Sequence, residues 1–271
     1  MLVHATVDTM TAMHLTAMAD AFQRQLASPQ FADLSFEERV GMLIDSEWTA
    51  REQRKLQRRL RAANLRHAAS LEDLDWRAPR RGLDKALVGS LATCAWVQQH
   101  HNLVIVGPTG IGKSWLAAAF AERACRSGYT AYSVRVPRLF HDLAVARGDG
   151  SYTRLLAKLA KTAVLVLDDF GLTALTGPQR QDLLEVIEDR AERASTLITS
   201  QLPVKAWHEA IGDPTLADAI CDRIIHTAQV IELHGPSMRE VRAKAQRGGS
   251  SGGATAPASL KPAGSASKET P

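Results

Sequence analysis

The chain has 271 residues and a formal net charge of +4, with 45 % hydrophobic, 23 % charged and 5 % aromatic residues. That mixture excludes a wholly disordered chain, and 18 glycines without a period exclude a collagen-like one. Cys94, Cys125 and Cys221 stand far apart with no C-x-x-C pair. They argue against a disulfide scaffold or a zinc site and fit a reducing, cytoplasmic setting.

Charge is segregated along the chain: net −5 over residues 1–50, +6 over 51–85 and +3 over 86–271. No basic segment precedes an apolar stretch at the start, so no signal peptide is expected. A helix is expected over about Val7–Leu26, ending near Ser28-Pro29. Ser35-Phe36-Glu37-Glu38 reads as a capping box. Phe36, Val40, Leu43, Ile44 and Trp48 follow at helical spacing, and the helix is expected to reach about Arg66 with Leu56 and Leu60 on the same side. Residues 1–68 therefore read as a small helical domain and 69–83, with Trp76, Pro79 and Gly82, as a linker.

From residue 84 to 246 helix and strand alternate. Strands are expected at Leu103–Val106, Thr130–Val134, Val164–Leu167, Thr196–Thr199 and Gln229–Leu233. Alternation of this kind implies an α/β domain, a parallel sheet with helices on both faces. The uncharged run Ala86–Gly112 is too interrupted by Gln98-Gln99-His100-His101-Asn102 to cross a membrane. Residues 247–271, mostly Gly, Ser, Ala and Pro, lack the apolar side chains for a core and are expected to be disordered.

Gly107-Pro108-Thr109-Gly110-Ile111-Gly112-Lys113-Ser114 matches G-x-x-x-x-G-K-[ST], between a β-type run and an Ala-rich helix that begins with Trp115. Glycines let the backbone wrap around anionic oxygens, and loop amides and the helix N-terminus point at them. In this motif Lys113 reaches the β- and γ-phosphates of ATP and Ser114 ligates Mg2+. The apolar strand Val164–Leu167 runs into Asp168-Asp169. Ligands of parallel sheets bind at strand C-termini. Asp168 is thus expected to hold Mg2+ and Asp169 to polarise the attacking water.

The phosphate loop together with LVLDDFG (165–171), ITSQLPVKAWHEAIGDPTLADAICDRIIH (198–226), ELHGPSMR (232–239) and LSFEERVGMLIDSEWTAREQRKLQRRLRAA (34–63) resembles IstB-like transposition helper ATPases. These are AAA+ proteins of the branch shared with replication initiators and helicase loaders. The resemblance spans about residues 10–245. It implies that Ser200 or Gln201 is sensor 1, that Arg223 is an arginine finger for a neighbouring subunit, and that Arg239 is sensor 2. A full helical lid, usual in AAA+ enzymes, has no room before the tail, so the lid is expected to be truncated or absent.

Arg51, Arg54, Lys55, Arg58, Arg59, Arg61 and Arg66 crowd one helical stretch with a single acid, Glu52. Such a stripe suits duplex phosphates without a base code. A second basic stretch, Pro137–Lys161, holds Arg138, Arg147, Arg154, Lys158 and Lys161. It lies where related initiators carry a nucleic-acid-contacting helix. Few aromatics (Phe140, Tyr152) favour duplex over single strand. The expected function is an ATP-dependent, self-assembling DNA-binding ATPase, slow in turnover and nucleoid-associated, that delivers target DNA to a transposase. The alternatives are a replicative helicase loader, a small-molecule kinase and a non-hydrolysing nucleotide switch.

Overall fold

Two helices, not one, begin the chain: α1 (Leu2–Ala12) and α2 (Thr16–Ala27). The break falls at His14, whose φ is 59°. A distant carboxylate explains it. Glu47 Oε2 accepts from the amides of Ala17 at 3.0 Å and Met18 at 3.2 Å, capping the first turn of α2. Glu47 lies on α3 (Phe36–Ala62), which starts at the expected capping box: the Glu38 amide donates to Ser35 Oγ, and Glu38 Oε2 accepts from the Ser35 amide at 2.8 Å. The structure, a computed structural model, describes residues 2–78, 81–238 and 240; Arg239 and the expected tail lie outside the described residues.

Beyond the linker come α4 (Lys85–Ala92), α5 (Ala95–Gln98), β1 (Asn102–Val106), α6 (Lys113–Arg126), β2 (Ala131–Arg135), α7 (Val136–Asp149), α8 (Tyr152–Lys161), β3 (Val164–Phe170), α9 (Gly177–Arg190), β4 (Ser195–Ser200), α10 (Trp207–Ile211), α11 (Pro214–Ile225) and β5 (Ala228–Glu232). The strands form one parallel sheet in the order β2-β3-β4-β1-β5. Side chains of a strand alternate between faces, and the two cores follow that period. Val104, Val106, Leu165, Leu167 and Ile198 face a core built with α7, α8, α9 and α11. Leu103, Ile105, Val164, Val166 and Leu197 face a second core built with α4, α5 and α6. The helix after β1 thus covers one face and those after β2, β3 and β4 the other. The crevice left at the strand C-termini is where α/β sheets bind ligands.

The boundary expected at residue 68 falls within continuous packing. Leu56 and Leu60 of α3 and its C-cap residue Ala63 pack into the second core. Beyond the helix, the Ser133 amide of edge strand β2 donates to Ala63 O at 2.8 Å, and Asn64 Nδ2 donates to Ser133 O at 3.1 Å. The 69–83 segment also lies on the sheet domain, with Ala69 and Leu74 buried and Arg81 bridged to His234. Apolar residues at both ends of the segment give it a place to dock.

One buried cation bolts the far end of the sheet. Arg190 is 1 % exposed; its guanidinium donates to the carbonyls of Leu159, Thr162 and Ser195 and to Thr196 Oγ1. Burial pushes its pKa down to about 9. The four acceptors stand in for the water the guanidinium has lost. Arg190→Ala leaves those acceptors unpaired in a dry site. It is expected to lower unfolding stability by about 3 kcal/mol, read from the urea midpoint.

Candidate nucleotide site

The phosphate loop is shaped by contacts behind it. Gly107 has φ +151°, and a Cβ there would lie 2.4 Å from Leu233 O; at Gly110, φ +82°, it would lie 2.3 Å from Ser237 Oγ. Only glycine lets the loop pass this close to the segment after β5. The Met238 amide donates to Gly110 O at 2.9 Å, so that segment holds the loop from the outer side. Pro108 and Thr109 are exposed, whereas Ile111 is buried. Gly112 is the left-handed N-cap of α6, and the first-turn amides of α6 lack intrahelical acceptors. The Trp115 side chain packs against the cluster of Ala69, Ala118 and Ala119.

Lys113 is 7 % exposed, and its ammonium donates to Gly107 O at 2.8 Å and Pro108 O at 3.0 Å. Burial lowers its pKa; Asp169 and Asp168 act in the opposite direction. Both carboxylates thus bear on one ammonium. A regular strand would send consecutive side chains to opposite faces, but β3 carries a bulge here: Leu167 pairs with Ile198, and Phe170 with Ser200. Asp169 takes φ +63°, a conformation Asp tolerates.

Asp168, 3 % exposed, is the hub. Its Oδ1 accepts from Ser114 Oγ at 2.7 Å and from Thr199 Oγ1 at 2.6 Å, while Oδ2 faces Arg66 Nη1 at 3.8 Å. Asp169 is paired with Arg135 Nε at 2.7 Å, and its amide donates to Thr199 Oγ1 at 3.1 Å. Arg135 and Arg66 were not expected as members of this site, and Thr199 was not one of the two sensor 1 candidates.

Of the two sensor 1 candidates, the structure brings only Gln201 to the loop, where its Oε1 accepts from Thr109 Oγ1 at 2.7 Å. Ser200 is fully buried and turned away: its hydroxyl donates to Phe170 O at 2.9 Å and accepts from the Leu202 amide at 3.0 Å. Arg223 stands at the other end of the sheet. Its carbonyl accepts from Asn102 Nδ2 at the start of β1, and its guanidinium meets Glu188 at 2.9 Å and Ala219 O at 3.0 Å.

The basic stripe of α3 is partly neutralised. Glu47 Oε1 takes both Arg51 (2.8 Å) and Arg54 (3.0 Å). The Arg51 contact, with the amides of Met18 and Ala17, holds its carboxyl below the usual range against the effect of burial. Lys55 pairs with Glu52 at 2.8 Å, and Arg59 Nε donates to Cys125 O at 3.0 Å. Arg58 and Arg61 are exposed with no ion pair among the described residues. On α7 and α8, Arg138 pairs with Asp142. Arg147 is clamped to Asp182 and stacked 3.9 Å from the Tyr152 ring centroid. Lys158 sits 3.9 Å over the Tyr132 ring. Arg154 is exposed. The Tyr152 hydroxyl is bonded to Asp182 and Glu185 and Phe140 is buried, so neither ring offers a stacking face. The two basic stretches pack on opposite faces of the sheet.

A family model for IstB-like ATP binding proteins matches residues 8–246. The chain belongs to that family. An insertion sequence ATP-binding protein of Sinorhizobium fredii, y4pL, is 52 % identical over 239 residues, 88 % of this chain and 97 % of that one. The insertion sequence IS1162 ATP-binding protein of Pseudomonas fluorescens is 48 % identical over 75 % of this chain and 88 % of its own. Among solved structures, DnaI is similar with TM-score 0.52 and 25 % identity, over 63 % of this chain and 90 % of that one. AMPPCP-bound DnaA of Aquifex aeolicus has TM-score 0.56 and 13 % identity, over 70 % and 67 %. The sheet domain is thus a P-loop AAA+ core, and this IstB-like chain is a transposition-associated ATPase with ATP as its ligand. No helix among the described residues is long and apolar enough to cross a membrane.

Proposed function

We propose that this IstB-like protein is an ATP-switched, self-assembling DNA-binding ATPase that delivers target DNA to a transposase. The observation that carries the reading is the convergence of Ser114 and Thr199 on Asp168, with the Lys113 ammonium in the field of Asp168 and Asp169, beside a loop whose Gly107 and Gly110 take positive φ against the segment after β5. These donors fit ATP with Mg2+: an ammonium and helix amides for the phosphates, a hydroxyl and a carboxylate for the metal. Bound MgATP supplies the phosphoanhydride and neutralises charge on its oxygens. Lys113 and the first turn of α6 hold the phosphates, Ser114 and Asp168 orient the metal, Asp169 orients water, and Gln201 reports on the loop. Trp115 contributes its backbone in that first turn. Arg223 serves the site of a neighbouring subunit. Arg239 acts as sensor 2.

For DNA, the weight falls on Arg58, Arg61 and Arg154, which are exposed and make no ion pair within 4 Å among the described residues. Arg51, Arg54, Lys55 and Arg138 are exposed but shared with acids, so they add field more than contact. Contacts of this type make binding salt-sensitive and weakly sequence-dependent. The decisive experiment measures duplex-DNA affinity with an ATP analogue, with ADP and for Lys113→Ala. Equal affinity in all three overturns the switch. The resemblance to the branch shared with helicase loaders keeps a helicase loader as the second reading; a pull-down with the cognate transposase and with the replicative helicase separates them.

Slow hydrolysis follows from Asp169, a shorter side chain than glutamate and one held by Arg135. Asp169→Asn is expected to lower steady-state ATPase by about 100-fold while preserving ATP-dependent DNA binding. A variant that hydrolyses at the wild-type rate removes Asp169 from the role.

A further inference from the structure

Arg66 belongs to the N-terminal segment by sequence, yet its guanidinium lies at the hydrolytic centre. Ala63 and Asn64 are hydrogen-bonded to Ser133 on edge strand β2, whose last residue, Arg135, is in register with Asp168. The chain leaving α3 is thereby laid along β2 towards the strand C-termini. Arg66, half-exposed, reaches across to Asp168 Oδ2 at 3.8 Å and has no other ion pair or hydrogen bond among the described residues.

The two oxygens of Asp168 are not equivalent. Oδ1 is fully engaged by the hydroxyls of Ser114 and Thr199. Oδ2 accepts no hydrogen bond among the described residues and has the Arg66 guanidinium within ion-pair distance. The oxygen left for a divalent ion is therefore the one a fixed cation already addresses. Two cations at one carboxylate oxygen repel each other, and a guanidinium on a half-exposed side chain can swing away where a metal-binding hydroxyl cannot.

We propose that Arg66 and the nucleotide's Mg2+ are alternative partners of Asp168 Oδ2, so that Arg66 is a positioning residue that sets the Mg2+ requirement of the site. The inference rests on the ATP reading of that site. It ties the end of the basic helix α3 to metal occupancy through one side chain.

The test titrates MgCl2 into the full-length protein with a fluorescent ATP analogue present, comparing wild type, Arg66→Ala and Arg66→Lys. Arg66→Ala is expected to lower the Mg2+ midpoint about two- to fivefold, and more at low salt. Arg66→Lys, which keeps the charge, is expected to stay near wild type. Analogue binding in EDTA should be no stronger in Arg66→Ala than in wild type. An unchanged or raised midpoint in Arg66→Ala, with wild type binding the analogue normally, overturns the competition alone. Failure of wild type to bind the analogue at any Mg2+ concentration overturns the ATP reading and this inference with it. A purely structural Arg66 would change the melting temperature and leave the Mg2+ midpoint in place.

Discussion

Lys113→Ala is expected to weaken ATP binding about 100-fold and to abolish nucleotide-dependent DNA binding. The size follows from the lost contacts. A charge-assisted hydrogen bond to phosphate is worth about 1.5–3 kcal/mol, and the upper end of that range is near two decades of affinity. The same substitution should not weaken the fold. Lys113 is buried, and its lowered pKa means that the unfolded chain binds that proton more tightly than the folded one. The cost of burying the ammonium is present at neutral pH and fades only as pH rises towards the ordinary lysine value of 10.5. Without nucleotide, Lys113→Ala is therefore expected to melt at or slightly above the wild-type temperature, while the ATP-induced rise in melting temperature disappears. A titration with a fluorescent ATP analogue and a thermal melt with and without ATP read both effects. Wild-type affinity in the variant would remove Lys113 from phosphate binding.

What could be read from sequence divides by the range of the interactions involved. The phosphate loop is local: strand, glycines and helix N-terminus are consecutive, and the capping box at Ser35 spans four residues. Both stand in the structure where the sequence places them. Thr199 was passed over because its role depends on register. Only the pairing of β3 with β4, bulge included, decides that Thr199 and not Ser200 meets Asp168. The break between α1 and α2 was invisible for a similar reason: its cap, Glu47, lies about thirty residues away. That same carboxylate corrects the basic stripe. Counting acids only within 51–66 omits Glu47, which sits one and two helical turns before Arg51 and Arg54 and draws on both. Arg135, from the end of β2, and Arg66, from the chain laid along it, reach the two aspartates, contacts that no local pattern announces. Local chemistry thus names the nucleotide loop, while the groups that restrain its acids emerge only from the sheet.

Arg223→Ala is expected to slow ATP turnover about 1000-fold while leaving ATP affinity within about twofold. The argument begins with distance. Arg223 is hydrogen-bonded through its carbonyl to Asn102, the first residue of β1, whereas the phosphate loop follows Val106, the last. At about 3.3 Å per residue, the strand alone separates them by roughly 15 Å, so Arg223 does not reach the phosphates of its own subunit. Its present partner, Glu188, is exposed, and an exposed pair of this kind costs about 1 kcal/mol or less to break. In the proposed assembly, a transferring phosphoryl group on an adjacent subunit would outcompete it. Mixing separates this role from a structural one. Arg223→Ala subunits keep an intact loop and Lys113→Ala subunits keep an intact finger; each alone is expected to be inactive. In an equimolar mixture that assembles head to tail, about a quarter of the interfaces join a good loop to a good finger, and activity should return in that proportion. A mixture as inactive as its components, or an Arg223→Ala subunit that no longer binds ATP, would place Arg223 outside a shared site.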